Sequence, residues 1–579
     1  MCQVNADWAA YQADPSGPPV CVRPTCYPRS LPRSVTVSKP APPWLAPVLL
    51  ALTAALLLGL FSTEISDPDF WWHLKTGQYI VSEHRLPVPD PFAYTTASAS
   101  TSPGEAATRH FNLTHEWLAQ VVWYLIYRAG GFGAVVLWKA LLLTVLCACT
   151  GWIAWRRTAS VFWGIAAALA AAALAIEFDR DRPGILSYVF TAAFFAIFES
   201  RKRLWLLPVL AVIWANCHGG FFLGWIVCGA YAAESLLRRA PDSRRVLLMS
   251  GLAVLLSGLN PNGYEALATV LRYRQSPMQA TLIEWSRSDL WGPPYAFDLL
   301  LYGAALALLL SWRRVRPADW VLFAVFSAAA MTAFRNEMLI GLLAPALIAA
   351  YFPWKRWADI VARLAIAFLV VVACFNGHFF QLRAAEWRYP AGAAAFLAEH
   401  PTGAPLFNTY EYGGYLIWKG QPVFIDGRAL SESVFQDYRT ILGAPPSDPA
   451  RAGLLAKYGI GAIVANAFEY NAGSLYPLVL ALPDWKLVYE DPQALVLVRD
   501  LPPGMPALDA SRIYDHLNAE CRLHLAHDPD LPGCARTLGD YFLRSGDRDR
   551  ARRALELYLQ HPYPGDTDAR RAYMQLTQQ

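Results

Sequence analysis

Eleven apolar runs, with Lys and Arg concentrated in every second connecting loop, constrain this chain more than any other feature. The runs fall at about 44–63, 133–155, 158–176, 184–199, 204–216, 220–237, 246–260, 297–312, 319–334, 338–353 and 358–377. Apolar stretches of this kind read as helices in a bilayer. With 55% apolar and 16% charged residues, the chain is composed like a bilayer solute rather than a soluble domain. A net charge of +4 gives no reason to expect a nucleic-acid partner.

The basic positions fix the expected orientation. They are Arg23, Arg29, Arg33 and Lys39 before the first run, then Arg156-Arg157, Arg201-Lys202-Arg203, Arg238-Arg239 with Arg244-Arg245, Arg313-Arg314 with Arg316, and Lys355-Arg356. Cytoplasmic loops retain Lys and Arg, so the N-terminus is expected inside and the last 200 or so residues outside. The Pro-rich leader 1–43 reads as disordered and cytoplasmic, with no cleavable signal, and its Cys2, Cys21 and Cys26 as free thiols. The chain is expected to be multi-pass, among membrane lipids.

Several runs are short. Residues 204–216 supply about 20 Å of helix against a hydrocarbon thickness near 30 Å. Two helices joined by Asn216-Cys217-His218-Gly219-Gly220 keep the flanking basic clusters on one side, with the turn sunk below the outer surface. Polar backbone at that depth has to line a protein-walled cavity. The outer ends of other runs bring ionisable groups to it, including Arg180 and Arg182 after the third run and Arg335 after the ninth. The runs themselves are almost free of charge, Lys139 being the clear exception, whereas a coupled transporter usually carries carboxylates near the midplane.

Where the first run ends, the chain reads Asp67-Pro68-Asp69-Phe70-Trp71-Trp72-His73. Asp-x-Asp is a cheap string, repeated at Asp179/Asp181, Asp528/Asp530, Asp547/Asp549 and Asp566/Asp568, and Asp67-Pro68 also suits a helix start. Address distinguishes this copy. A helix from Pro68 to about Ser82 should lie along the membrane interface, its Trp rings at headgroup depth. Asp69 and His73, four apart, share a face and could act as a general base or hold a divalent cation. A second outer helix is expected from Thr114-His115-Glu116-Trp117 to about Arg128, where Glu116 could simply favour the helix dipole.

These pieces resemble the GT-C class of membrane glycosyltransferases. The resemblance rests on the outer loop 64–132, Asp67 and Asp69, His115-Glu116-Trp117-Leu118, and Trp214-Ala215-Asn216-Cys217-His218-Gly219-Gly220, and covers about residues 44–500. It looks most like bacterial members without an assigned substrate; the Trp-Trp-Asp triplet of oligosaccharyltransferases does not occur. The resemblance implies an enzyme that moves a sugar from a polyprenyl-phosphate-linked donor to an extracytoplasmic acceptor by inverting displacement. It implies catalytic roles for Asp67 and Asp69, and substrate contacts from His73, His115, Glu116, Arg180, Arg182, His218 and Arg335. The expected cofactor is a divalent cation, Mg or Mn, at Asp69. The competing readings are a polytopic lipid or polymer transporter and a non-catalytic scaffold.

The fold expected is an α-helical polytopic domain (44–378) followed by an outer α/β domain (379–508) and a helical tail (509–579). Leu406–Asn408, Pro422–Arg428, Ala462–Ala465 and Ala494–Val498 read as short buried strands, and Asp426 with Arg428 as an ion pair. In the tail, Leu538-Gly539, Phe542, Gly546, Ala551 and Leu555 are spaced like one tetratricopeptide-type hairpin, open to a protein partner. Cys521 and Cys534 are spaced to permit a disulfide.

Overall fold

The apolar runs become helices because a helix satisfies every backbone hydrogen bond within one segment. The computed structural model describes residues 44–97, 102–273, 276, 283–292, 295–353, 360, 363, 366–367, 370, 379–445, 448–469, 473–480 and 484–578. The leader and most of the run at 358–377 lie outside the described residues. Contacts divide the chain into Met1–Val48 and Leu49–Gln579.

Helix α1, Leu45–Leu60, leads into the first long loop, which holds α2, Phe70–Glu83, and α3, Pro103–Thr114. Helix α3 lies where the sequence suggested nothing. It is polar, and it starts because the Ser102 side chain accepts from the Glu105 amide with Pro103 in the first turn. Helix α4, Trp117–Thr158, is interrupted by Gly130 and Gly131, the latter at φ 64°, so residues before and after the kink are separate rods. Then follow α5 Val161–Ala175, α6 Gly184–Ser200, α7 Leu206–Cys217, α8 Phe222–Leu237, α9 Ser243–Leu256, α10 Glu265–Tyr273, α11 Tyr295–Leu310, α12 Pro317–Thr332 and α13 Met338–Tyr351.

Among the described residues, three helical stretches are long and apolar enough to cross a membrane: Pro103–Thr158, Val161–Phe178 and Gly219–Leu237. Five shorter helices among the described residues are also apolar. Consecutive helices run in alternate directions and gather two kinds of end. At one, Arg157 binds Glu199 and Asp319, both at 3.0 Å, and Arg316 binds Glu199 at 2.9 Å and Glu234 at 3.2 Å. The other end carries Asp67, Arg182, His218 and Arg335.

The C-terminal sheet has the order β1–β2–β6–β5, from β1 Leu406–Asn408, β2 Ala462–Ala465, β5 Lys486–Glu490 and β6 Leu495–Val498, with β1 parallel to β2 and the other pairs antiparallel. A separate β3–β4 hairpin joins Phe468–Glu469 to Ser474–Leu475. Strand alternation splits the core. Ala462, Val464, Val496 and Val498 continue the core of the helical bundle, whereas Phe407, Ile463, Leu495 and Leu497 face a second core under the helix Glu432–Gly443.

Two sequence expectations change here. Residues 422–428 do not form a strand; Val423 makes one isolated parallel bridge to Ala93, and an Asn side chain holds the next two residues. Asn408 accepts from the Phe424 amide at 2.9 Å and donates to the Ile425 carbonyl at 2.8 Å. Nor do the α2 Trp rings meet lipid headgroups. Trp71 is 1% exposed, its ring edge-on to Phe132, Tyr389 and Tyr415, because the C-terminal region covers this helix.

In the tail, the helices Gly533–Arg544 and Arg548–Tyr558 pack through Leu538, Phe542, Ala551 and Leu555. Cys521 and Cys534 form a disulfide.

Candidate functional site

The site begins where α1 ends and α2 starts. Asp67 Oδ1 accepts from the Asp69 amide at 2.9 Å, a turn bond ahead of the helix, and its Oδ2 faces Arg182 Nε at 3.0 Å. The helix starts at Phe70 with Asp69 before it and no side-chain cap bond, so Asp67 and Pro68 do not open it as the sequence suggested. Asp69, the residue before α2, accepts from Arg182 Nη1 at 2.7 Å through Oδ2 and from Trp72 Nε1 at 3.0 Å through Oδ1.

Arg182 sits just before α6, and its third nitrogen bonds Glu284, a residue that sequence reasoning missed. Ile283-Glu284-Trp285 forms a single turn in a long connection, with no local pattern to mark it. Arg335 reaches the other Glu284 oxygen at 3.9 Å and lies over the Trp285 ring at 5.1 Å. Arg180 is exposed, near enough for its charge to stabilise Glu284. Behind this group, Lys139 bonds Asp181 at 2.8 Å and the Thr63 hydroxyl at 2.7 Å, and Asp181 accepts from the Ser66 amide at 3.0 Å.

The imidazoles form an adjoining group around Glu116. His115 Nε2 lies 3.4 Å and His218 Nε2 3.6 Å from its Oε1, and His73 Nδ1 lies 3.6 Å from its Oε2. The turn after α7 fixes one tautomer. The Gly220 amide donates to His218 Nδ1 at 3.1 Å, so that nitrogen carries the lone pair and Nε2 points its hydrogen at Glu116. Ser187 Oγ, which accepts from Trp214 Nε1 at 2.9 Å, lies 2.6 Å from the same Nδ1. Glycine is required at 220 because a Cβ there would stand 2.5 Å from Ser187 Oγ.

The C-terminal region closes over the acids. A Cβ on Gly427 would stand 1.8 Å from Asp69 Oδ1, so only glycine permits this approach. The flanking Asp426 and Arg428 pair at 2.7 Å as expected, and Arg428 also bonds Asp90 of the first loop at 2.7 Å. Asp426 and Arg428 pin the turn and are 4% exposed.

Charges in this setting shift one another. Burial pushes Asp69 up, Asp67 and Glu284 add to the rise, and Arg182 and Trp72 oppose it, leaving a pKa of about 7. Burial lowers His73 and His218 to about 3, so both are neutral near pH 7. For Glu116, burial opposes ionisation but the imidazoles, His115 first, hold it well below the carboxylate range. For Glu284, burial is likewise outweighed, here by Arg182 and Arg335. The arrangement thus offers a carboxylate able to exchange a proton near neutrality, beside ionised acids and neutral imidazoles.

The structure brings together Asp67, Asp69, Arg182 and Arg335 in one group and His73, His115, Glu116 and His218 in the next, leaving Arg180 at the rim. The expected cation position at Asp69 is occupied by the Arg182 guanidinium, and among the described residues no group of three His, Cys, Asp or Glu side chains is arranged to hold a metal ion.

No protein-family profile matches the chain, and neither does any curated protein sequence. Solved structures do. The archaeal oligosaccharyltransferase AglB from Archaeoglobus fulgidus, in complex with an inhibitory peptide and a dolichol-phosphate, aligns at TM-score 0.55 and 10% identity over 89% of this chain and 86% of that one. The apo form of the Archaeoglobus fulgidus oligosaccharyltransferase aligns at 0.52 and 10% identity, over 80% and 75%. ArnT from Cupriavidus metallidurans reaches only 0.48 at 14% identity, over 79% and 99%, too low to carry weight. At such identities a likeness speaks for architecture alone: this chain shares the fold of the two Archaeoglobus fulgidus oligosaccharyltransferase structures.

Proposed function

We propose that the protein is a membrane glycosyltransferase that transfers a sugar from a polyprenyl-phosphate-linked donor to an acceptor hydroxyl. The observation that carries the reading is the acid pair Asp67 and Asp69, both held on Arg182 at one end of the helical bundle, with Asp69 poised near pH 7. The AglB structure contains a dolichol-phosphate, which supports a lipid-phosphate carrier for this fold.

In this mechanism the Asp69 carboxylate takes the acceptor proton as the hydroxyl oxygen bonds to the anomeric carbon. The bond from that carbon to the phosphate oxygen breaks, and polyprenyl phosphate leaves with the electron pair. A single displacement inverts the anomeric centre. Arg182 is saturated by carboxylates, so Arg335 and Arg180 are the cations that receive the phosphate. The imidazoles around Glu116 line the acceptor side.

The same reading carries eleven spans in the bacterial inner membrane, the N-terminus in the cytoplasm, the C-terminal region outside, and a partner-binding tetratricopeptide-like tail. Asp67→Ala and Asp69→Ala, tested separately for transfer from labelled polyprenyl-phosphate sugars in membranes, should each lose activity by about 100-fold or more. Full activity in both removes the mechanism.

A further inference from the structure

Three carboxylates from separate parts of the chain meet at one guanidinium. Arg182 Nε lies 3.0 Å from Asp67, Nη1 2.7 Å from Asp69, and Nη2 bonds Glu284. Without a cation between them these acids would repel one another and rise in pKa. The remaining oxygens do not turn to a common empty point. Asp67 Oδ1 takes the Asp69 amide, Asp69 Oδ1 takes Trp72, and the second Glu284 oxygen faces Arg335. A divalent ion bound by the Arg182-facing oxygens would stand where the guanidinium stands, against its charge. A guanidinium is also permanently charged, and its planar fork suits several carboxylates at once.

We propose that Arg182 is the resident cation of this site: a positioning residue that gathers Asp67, Asp69 and Glu284 in place of a divalent metal. Lys139 extends the device one layer back, through Asp181 to the Ser66 amide beside Asp67. The inference takes its chemical meaning from the proposed transfer, but its readout needs no turnover.

The test is Mn²⁺ titration of the full-length protein in detergent after EDTA treatment, followed by electron paramagnetic resonance and thermal unfolding. Wild type and Arg182→Lys should leave the free-ion signal and the Tm unchanged up to about 1 mM Mn²⁺. Arg182→Ala should bind one equivalent and gain Tm with Mn²⁺, and adding Glu284→Gln should weaken that binding by about tenfold or more. In the transfer assay, EDTA should not change the wild-type rate. Saturable Mn²⁺ binding by wild type that Glu284→Gln abolishes overturns the proposal, as does a folded Arg182→Ala that binds no Mn²⁺. Should Arg182→Ala fail to fold, the wild-type and Arg182→Lys titrations decide. A preparation with no transfer activity at all counts against the proposed function and leaves the metal result standing.

Discussion

Asp69 is an acid raised to about 7, and that shift has two separable consequences. As a proton acceptor it works only when ionised, so kcat/KM should rise with pH through a limb near 7. Glu284→Gln removes a negative charge that raises Asp69, and should move the limb to lower pH. Arg182→Ala removes a positive charge that lowers it, and should move the limb up; a limb that stays in place in both variants excludes Asp69 as its source. Stability carries the opposite sign. The folded state holds the Asp69 proton more tightly than an unfolded chain with the ordinary value of 3.8, so this residue's contribution falls as pH rises from about 4 to about 7. Asp69→Asn should flatten that part of the Tm–pH curve. At Gly427, alanine places a methyl group 1.8 Å from Asp69 Oδ1. Gly427→Ala should reduce transfer by about 100-fold by displacing the acid, with only a modest fall in Tm.

At the scale of elements, α2 and the turn Asp426-Gly427-Arg428 depend on buried contacts. Trp71→Ala should cost about 3–5 kcal/mol, measured by unfolding in detergent. Arg428→Met leaves Asp90 and Asp426 buried without their cation and should cost about 3–5 kcal/mol, read as faster proteolysis C-terminal to residue 379. The helices were legible in the sequence because their signal is one of length and apolarity. The runs at 184–199 and 220–237 lie within a few residues of α6 and α8, and the turn at His218 falls as expected. Asp67 and Asp69 were visible because they stand just beyond the first run, and the His115-Glu116 pair because it opens the second helix expected in the outer loop. Helix α3 was missed because its apolar content is low and its start depends on one serine cap. The segment 422–428 was misread because Phe424 and Ile425 are buried like strand residues, yet their backbone partner is the Asn408 side chain, which no local pattern announces. Glu284 owes its place to a long connection folding back, which only tertiary structure reveals.

For the whole molecule, the joining of bundle and sheet matters most. Val423, Val464 and Val496 belong to the core of the helical part, so the C-terminal region is no detachable module. A fragment from residue 379 onward should expose that face, bind a hydrophobic dye and elute as aggregates, whereas a monodisperse fragment would show the two parts to be independent. Asp90 and Arg428, lastly, stand 338 positions apart. A ribosome adding roughly 5–20 residues per second needs roughly 15–70 s to deliver the second after the first. Throughout that interval the helical portion waits with Asp90 unpaired and Asp69 uncovered, so the centre is completed only once Gly427 and Arg428 have been added, and a chain terminated before them is left without its roof.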